Sequence, residues 1–227
     1  MGDLPSGTVT FLFTDIEGST RLWDDAPAAM RLSLARHDEI VRSAIEGSGG
    51  YVFATGGDGF AAAFSSVADG TAAAQAIQAG LGAEPWDDSA AIKVRVGLHV
   101  GEVEERDGDF FGPAVNRAAR IMATSHGGQI VASTAIVGIA GADRFRSLGH
   151  HRLQGFGAPD ELWQLGSAEF PPLRSRRREG NLPTPASSFV GRAAEVDEVA
   201  EMLEGGRLIT LVGVGGVGKT RLALEAA

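Results

Sequence analysis

Residues Thr8–Thr14 read TVTFLFT, an uncharged run of β-branched and aromatic side chains that ends on Asp15. A run of that length and composition buries well only as a short strand, so the chain is built round a sheet with an acid at a strand end. The sequence downstream alternates to match. Pro27–Glu46 puts Met30, Leu34, Val41 and Ile45 on one helical stripe, started by Pro27 and stopped by Gly47. Tyr51–Thr55 and Phe60–Phe64 flank Gly56-Gly57-Asp58-Gly59, the pattern of a β-hairpin. Val67–Leu81 reads as an Ala-rich helix, Ile92–Val100 (IKVRVGLHV) as a strand, Ala114–Ala123 as a helix and Ile130–Ala132 as a strand. The order β-α-β-β-α-β predicts an α/β (α+β) fold of ferredoxin-like type, an antiparallel sheet with helices on one face.

Charge divides the 227 residues into three parts. Residues 1–168 hold 12 basic and 21 acidic groups, enough chain for a core and a net charge of −9, equal to that of the whole chain. Residues 169–190 are Pro- and Ser-rich with four Arg and no apolar periodicity, and read as a linker. Residues 191–227 form the start of a second domain. The absence of Cys excludes thiolate nucleophiles, disulfides and Cys-ligated metal sites, and fits a reducing, cytoplasmic compartment. No apolar run approaches the roughly 20 residues of a membrane span, so no membrane partner is expected. Arg174-Ser175-Arg176-Arg177-Arg178 is one short basic run in an acidic chain, so nucleic acid is not expected as a partner.

Two carboxylates stand beside glycines at strand ends: Asp15, in Phe13-Thr14-Asp15-Ile16-Glu17-Gly18-Ser19-Thr20, and Asp58, at the hairpin tip. Adjacent central strands would bring both to one edge of the sheet. Two carboxylates and a backbone carbonyl suit Mg²⁺, which keeps other positions for phosphate oxygens and water. By pattern alone, Asp15 also serves as a helix cap and Asp58 as a turn residue. These segments, with Asn116-Arg117-Ala118-Ala119-Arg120, resemble the three signatures of class III adenylate and guanylate cyclases, over about residues 7–165.

The resemblance implies a cyclase catalytic domain with an extra C-terminal hairpin, converting ATP to 3′,5′-cyclic AMP and pyrophosphate. Asp15 and Asp58 then match the metal-binding aspartates, with the Ile16 carbonyl a further ligand, for two Mg²⁺ or Mn²⁺ ions per site. Asn116 matches the asparagine that positions the ribose, and Arg120 the arginine that stabilises the transition state. Their spacing of four on a helix puts both on one face, and a guanidinium suits charge building on a transferring phosphate. In this family the site forms between two catalytic domains, so a homodimer with two equivalent sites is implied.

At the base positions, Asp109 matches the aspartate of adenylate cyclases, while Ala54 stands where the partner lysine is expected. Many members also place a triphosphate lysine near the last hairpin, in the stretch that resembles His151–Gly157; here Arg152 is the nearest cation. These departures imply weak or base-relaxed activity. The alternative is a catalytically degenerate homology domain that acts as a dimerising regulatory module.

Near the C-terminus, Arg207–Val212 reads as a strand entering Gly213-Val214-Gly215-Gly216-Val217-Gly218-Lys219-Thr220, followed by a helix. This is the strand–loop–helix context of a phosphate-binding P-loop. Gly213 and Gly218 would belong to the amide cradle, Lys219 would reach the outer phosphates and Thr220 would hold Mg²⁺. With Phe189-Val190-Gly191-Arg192 it resembles the beginning of a signalling ATPase module of the NB-ARC type, truncated before its Walker B acid. No competent ATPase is expected from it.

Overall fold

The computed structural model describes residues 4–106, 108–177, 191–205, 208–214 and 217–226. The chain divides into two compact units, Met1–Arg178 and Glu179–Ala227. The first contains β1 (Thr8–Ile16), α1 (Ser19–Asp25), α2 (Pro27–Gly47), β2 (Tyr51–Gly56), β3 (Gly59–Phe64), α3 (Val67–Ala83) and β4 (Val94–Glu102). There follow β5 (Glu104–Arg106), β6 (Asp109–Phe111), α4 (Pro113–Thr124), β7 (Ile130–Ser133), α5 (Thr134–Ala140), β8 (Phe145–Arg152), β9 (Asp160–Leu165) and β10 (Arg176–Arg177).

One sheet runs in the order β10-β8-β9-β7-β4-β1-β3-β2, with β5 and β6 as a separate two-stranded arm. The uncharged run is β1, at the heart of the sheet between β3 and β4, both antiparallel to it. Two features depart from the expected ferredoxin-like arrangement. β4 and β7 pair in parallel, so the sheet is mixed. Helices also cover both faces, because β1 and β4 are apolar or small on each side.

On one face Leu12, Ile16, Val94, Val96 and Leu98 pack with Met30, Val41 and Ile45 of α2 and Ala73, Ala74 and Ile77 of α3. On the other, Val9 and Phe11 pack with Ala114 and Ala118 of α4. Each large side chain buried here contributes roughly 1.5–3 kcal/mol. Alternation in β4 leaves Gly97 and Gly101 facing α4. A Cβ on Gly97 would lie 2.4 Å from the Met122 backbone nitrogen, and one on Gly101 2.9 Å from the Ala114 Cβ. Glycine therefore sets how closely this helix approaches the sheet.

The hairpin β2–β3 turns through Gly57 and Asp58, and Gly57 takes φ 61°, the left-handed conformation such a turn favours. The C-terminal hairpin is β8–β9. The boundary expected at residue 168 falls inside the first unit: Leu173 is buried against Ile121, Val131, Leu153 and Leu162, and β10 pairs with β8. An apolar side chain in an otherwise polar stretch anchors it, which composition averaged over 169–190 conceals.

The second unit carries α6 (Ala193–Gly205) and α7 (Lys219–Ala226), joined by contacts among Val199, Leu222 and Ala226. The strand expected at Arg207–Val212 is not formed over residues 208–212, its described part. Leu208 and Val212 are 86% and 90% exposed. A buried parallel strand exists only against neighbouring strands, and none pairs with it among the described residues. Gly215 and Gly216 of the loop lie outside the described residues.

Candidate active site

The end of β1 and the tip of the β2–β3 hairpin meet at one end of the central strands. Asp15 pairs across the strands with Arg95 of β4, and their side chains form an ion pair. Burial raises the Asp15 carboxyl above its usual range; Arg95 opposes that shift and nearby Asp58 adds to it. The two aspartates are thus electrostatic neighbours, as the strand order requires. The hairpin is held against β1 at backbone level. The Phe60 N–H donates to the Thr14 hydroxyl at 3.0 Å, and a Cβ on Gly59 would lie 2.5 Å from the Thr14 carbonyl oxygen.

Asp58 Oδ2 is buried and has no hydrogen-bond partner. Two neighbouring carboxylates, one paired with a guanidinium and the other with an oxygen left unpaired, fit a hard divalent cation. Ile16 closes β1 beside them, its side chain 1% exposed in the core. Among the described residues no three His, Cys, Asp or Glu side chains converge, so a cation here would rely on the aspartate pair and backbone oxygen.

Asn116 and Arg120 lie on the outer face of α4, both exposed, while Ala114, Ala118 and Ile121 of the same helix are buried. Arg120 Nη1 donates to Gln154 Oε1 at 3.3 Å. No hydrogen bond or ion pair joins either residue to Asp15 or Asp58. Between them on the helix, Arg117 is tied to the last hairpin by an ion pair with Asp160 and by a guanidinium 4.5 Å from the Phe156 ring. A single chain therefore displays the acidic pair and the Asn/Arg pair as separate groups.

Ala54 lies exposed on the edge strand β2, and Asp109 opens β6 with its carboxylate accepting from the Phe110 N–H at 2.8 Å. The arm is brought to β2 by aromatic contacts: the Phe110 ring stands 5.2 Å from Phe53 and 6.5 Å from Tyr51. The two residues matched by resemblance to base positions thus belong to neighbouring elements. In the second unit Lys219 Nζ donates to the carbonyls of Gly213 and Val214 at 2.7 and 2.8 Å, and Thr220 follows it in α7.

Sequence reasoning missed Arg95. Its signal was available: in IKVRVGLHV, alternation puts it with Lys93 on the side of the strand where Gly97 and Gly101 also sit. Its importance appears only when the register sets it opposite Asp15.

Residues 3–160 match the family model described as the adenylate and guanylate cyclase catalytic domain. The chain belongs to that family. The chain is 38% identical over 205 residues to an uncharacterized protein of Mycobacterium tuberculosis, covering 85% of this chain and 70% of that protein. It is 34% identical over 155 residues to the adenylate cyclase of Neurospora crassa, covering 57% of this chain but only 7% of that much longer protein. Among solved structures, it resembles a Trypanosoma brucei adenylate cyclase in its monomeric state, with TM-score 0.70 and 27% identity over 78% of this chain and 98% of that one. It also resembles an adenylate/guanylate cyclase/hydrolase from Silicibacter pomeroyi, with TM-score 0.60 and 30% identity over 71% and 98% of the two chains. Among the described residues no helix of this cyclase is long and apolar enough to cross a membrane.

Proposed function

We propose that the chain is an adenylate cyclase of relaxed base selectivity, forming 3′,5′-cyclic AMP and pyrophosphate from ATP at the interface of a homodimer. The observation that carries the reading is the separation just described: an acidic pair with an orphaned oxygen at the sheet edge, and an outward-facing Asn/Arg pair that does not reach it. A second copy supplies each half-site with the other, and head-to-tail pairing gives two equivalent sites.

Asp15, Asp58 and the Ile16 carbonyl would hold Mg²⁺ or Mn²⁺, which supplies charge neutralisation and eases deprotonation of the attacking hydroxyl. Asn116 orients the ribose so that its 3′-hydroxyl lies in line with the α-phosphorus. The 3′-oxygen bonds to that phosphorus as the bond to the β-phosphate oxygen breaks, and pyrophosphate leaves. Arg120 stabilises the extra negative charge on the non-bridging oxygens of the α-phosphate. Asp109 accepts from the adenine amino group; Ala54 offers no donor to the ring. A missing hydrogen bond of that kind is worth on the order of 1–3 kcal/mol, which weakens discrimination more than catalysis.

The empty donor position at Ala54 favours a second reading, a degenerate homology domain that dimerises and regulates a neighbouring ATPase. On either reading we assign Lys219, Thr220, Gly213 and Gly218 to a P-loop. The test is direct. The purified chain with ATP or GTP and Mn²⁺ should yield cyclic nucleotide, and Asp15→Ala should abolish it. No product at high protein concentration overturns the enzyme reading.

A further inference from the structure

The segment after the last hairpin touches the proposed site. Leu173 is 8% exposed and anchors it beneath the C-terminal hairpin. On either side, the Arg174 N–H donates to the Thr124 carbonyl at 2.8 Å, and His126 Nε2 donates to the Pro172 carbonyl at 2.9 Å. Thr124 ends α4, and His126 belongs to the turn that follows. A backbone bond to the helix end, a ring bond to the turn and a buried leucine hold residues 172–174 as a strap.

The strap delivers the Arg174 guanidinium to the rim of a cavity of about 510 Å³ lined by Glu17, Gly18, Arg21 and Lys93 among others. There it forms an ion pair with Glu17. Glu17 lies between Ile16 and Gly18, and its N–H donates to the Lys93 carbonyl at 2.9 Å, so its backbone is fixed to the end of β4. The pair is part-exposed, with side chains 44% and 29% accessible, and such pairs add little to folding. Its electrostatic effect is larger than its effect on stability. His126 Nδ1 stands farther off, 3.9 Å from the same oxygen, so without Arg174 the Glu17 carboxylate loses its one arginine partner beside the end of β1 and would repel a polyanion approaching Asp15 and Gly18.

Resting on the cyclase reading above, we infer that Arg174 is a positioning residue for nucleotide binding. Carried by the strap, it neutralises and holds Glu17, so that undocking the strap weakens binding of the nucleotide's phosphates. Residues 172–174, in the last stretch of the first unit, thereby become part of the substrate site.

Steady-state kinetics of the full chain with Mn²⁺ and ATP test this. Arg174→Ala should raise KM about fivefold, the size expected of one uncompensated charge near a phosphate, with kcat within about twofold of wild type. Glu17→Gln in the same chain should return KM to within about twofold, because the unpaired charge is then gone. Arg174→Lys should behave nearly as wild type. A purely structural brace predicts instead that the double variant is as impaired as Arg174→Ala and melts at a lower temperature, and that result overturns the inference. An inactive wild type sinks the cyclase reading, and the dissociation constant of a fluorescent ATP analogue with Mn²⁺ then decides. No binding, or a Kd that Arg174→Ala leaves unchanged, overturns the inference as well.

Discussion

Gly59→Ala probes how the acidic pair is built without touching either acid. The added Cβ would meet the Thr14 carbonyl oxygen at 2.5 Å, where ordinary carbon–oxygen contacts begin near about 3.2 Å. The hairpin must therefore retreat from β1 by roughly 0.7 Å, since the obstacle is backbone and cannot rotate away. The same retreat stretches the 3.0 Å bond from the Phe60 N–H to the Thr14 hydroxyl. Overpacking of this kind costs about 1–3 kcal/mol and a weakened hydrogen bond about 1 more. For a chain of this size that is a fall in melting temperature on the order of 5–10 °C. Catalysis should suffer more, because a misplacement near 1 Å in a reacting constellation costs about a hundredfold. Gly57→Ala is the matched control. Its Cβ meets nothing within 4 Å, so only its φ of 61° is penalised, at about 1 kcal/mol. Thermal unfolding and cyclic-nucleotide production of the two variants would be compared at equal concentration. If Gly59→Ala melts and turns over no worse than Gly57→Ala, the hairpin's close approach does not set the aspartate geometry.

Three further outcomes are expected. Arg120→Ala, on the exposed face of α4, should leave the melting temperature within about 2 °C of wild type yet lower kcat about a hundredfold or more; equal turnover would remove Arg120 from the mechanism. Ala54→Lys restores a donor at the edge strand and should raise the preference for ATP over GTP roughly tenfold, measured as a ratio of kcat/KM; an unchanged ratio refutes the base assignment. Burial, with Arg117 as a lesser cause, pushes the His99 imidazole down to about 4. The unfolded chain takes up this proton near pH 6.5 and the folded chain only near 4, so stability is full above 6.5 and declines between them. The ceiling is on the order of 3 kcal/mol, and buried His37, also lowered, acts in the same direction. Denaturant unfolding across pH 4–7 should show the decline, and His99→Gln should flatten it.

The sequence made some features legible because local chemistry and tertiary context agree. The uncharged run became the central strand, the four-glycine segment became the hairpin, and Asn116 and Arg120 lie on one face of a helix. Asp15 and Asp58 were found because strand ends and turns carry their own signals. Other features were hidden for an equally physical reason. The placement of α4 on the opposite face of the sheet depends on Gly97 and Gly101, whose role is to be small against a particular helix. Arg95 gains its meaning from a register 80 residues distant from Asp15. Leu173 and Arg174 sit in a stretch whose average composition reads as spacer, and one apolar side chain decides where it lies. In the second unit the failure runs the other way: the pattern at 207–212 is that of a strand, but a strand has no local stability without its neighbours.

The close seating of α4 on Gly97 has a consequence for how such a domain can change. With a helix backbone where a Cβ would stand, the helix cannot slide or rotate by a residue without collision, so the Asn/Arg pair is indexed to the sheet as firmly as the acids are. Ala54 and Asp109 sit on an edge strand and a two-stranded arm, where replacement disturbs few neighbours. In the proposed function, chemistry and choice of base are thus mounted on parts of unequal rigidity. If the site is used as proposed above, a lineage carrying this fold can exchange one nucleobase for another by drift at the periphery, while any revision of the reacting groups must rebuild the middle of the sheet.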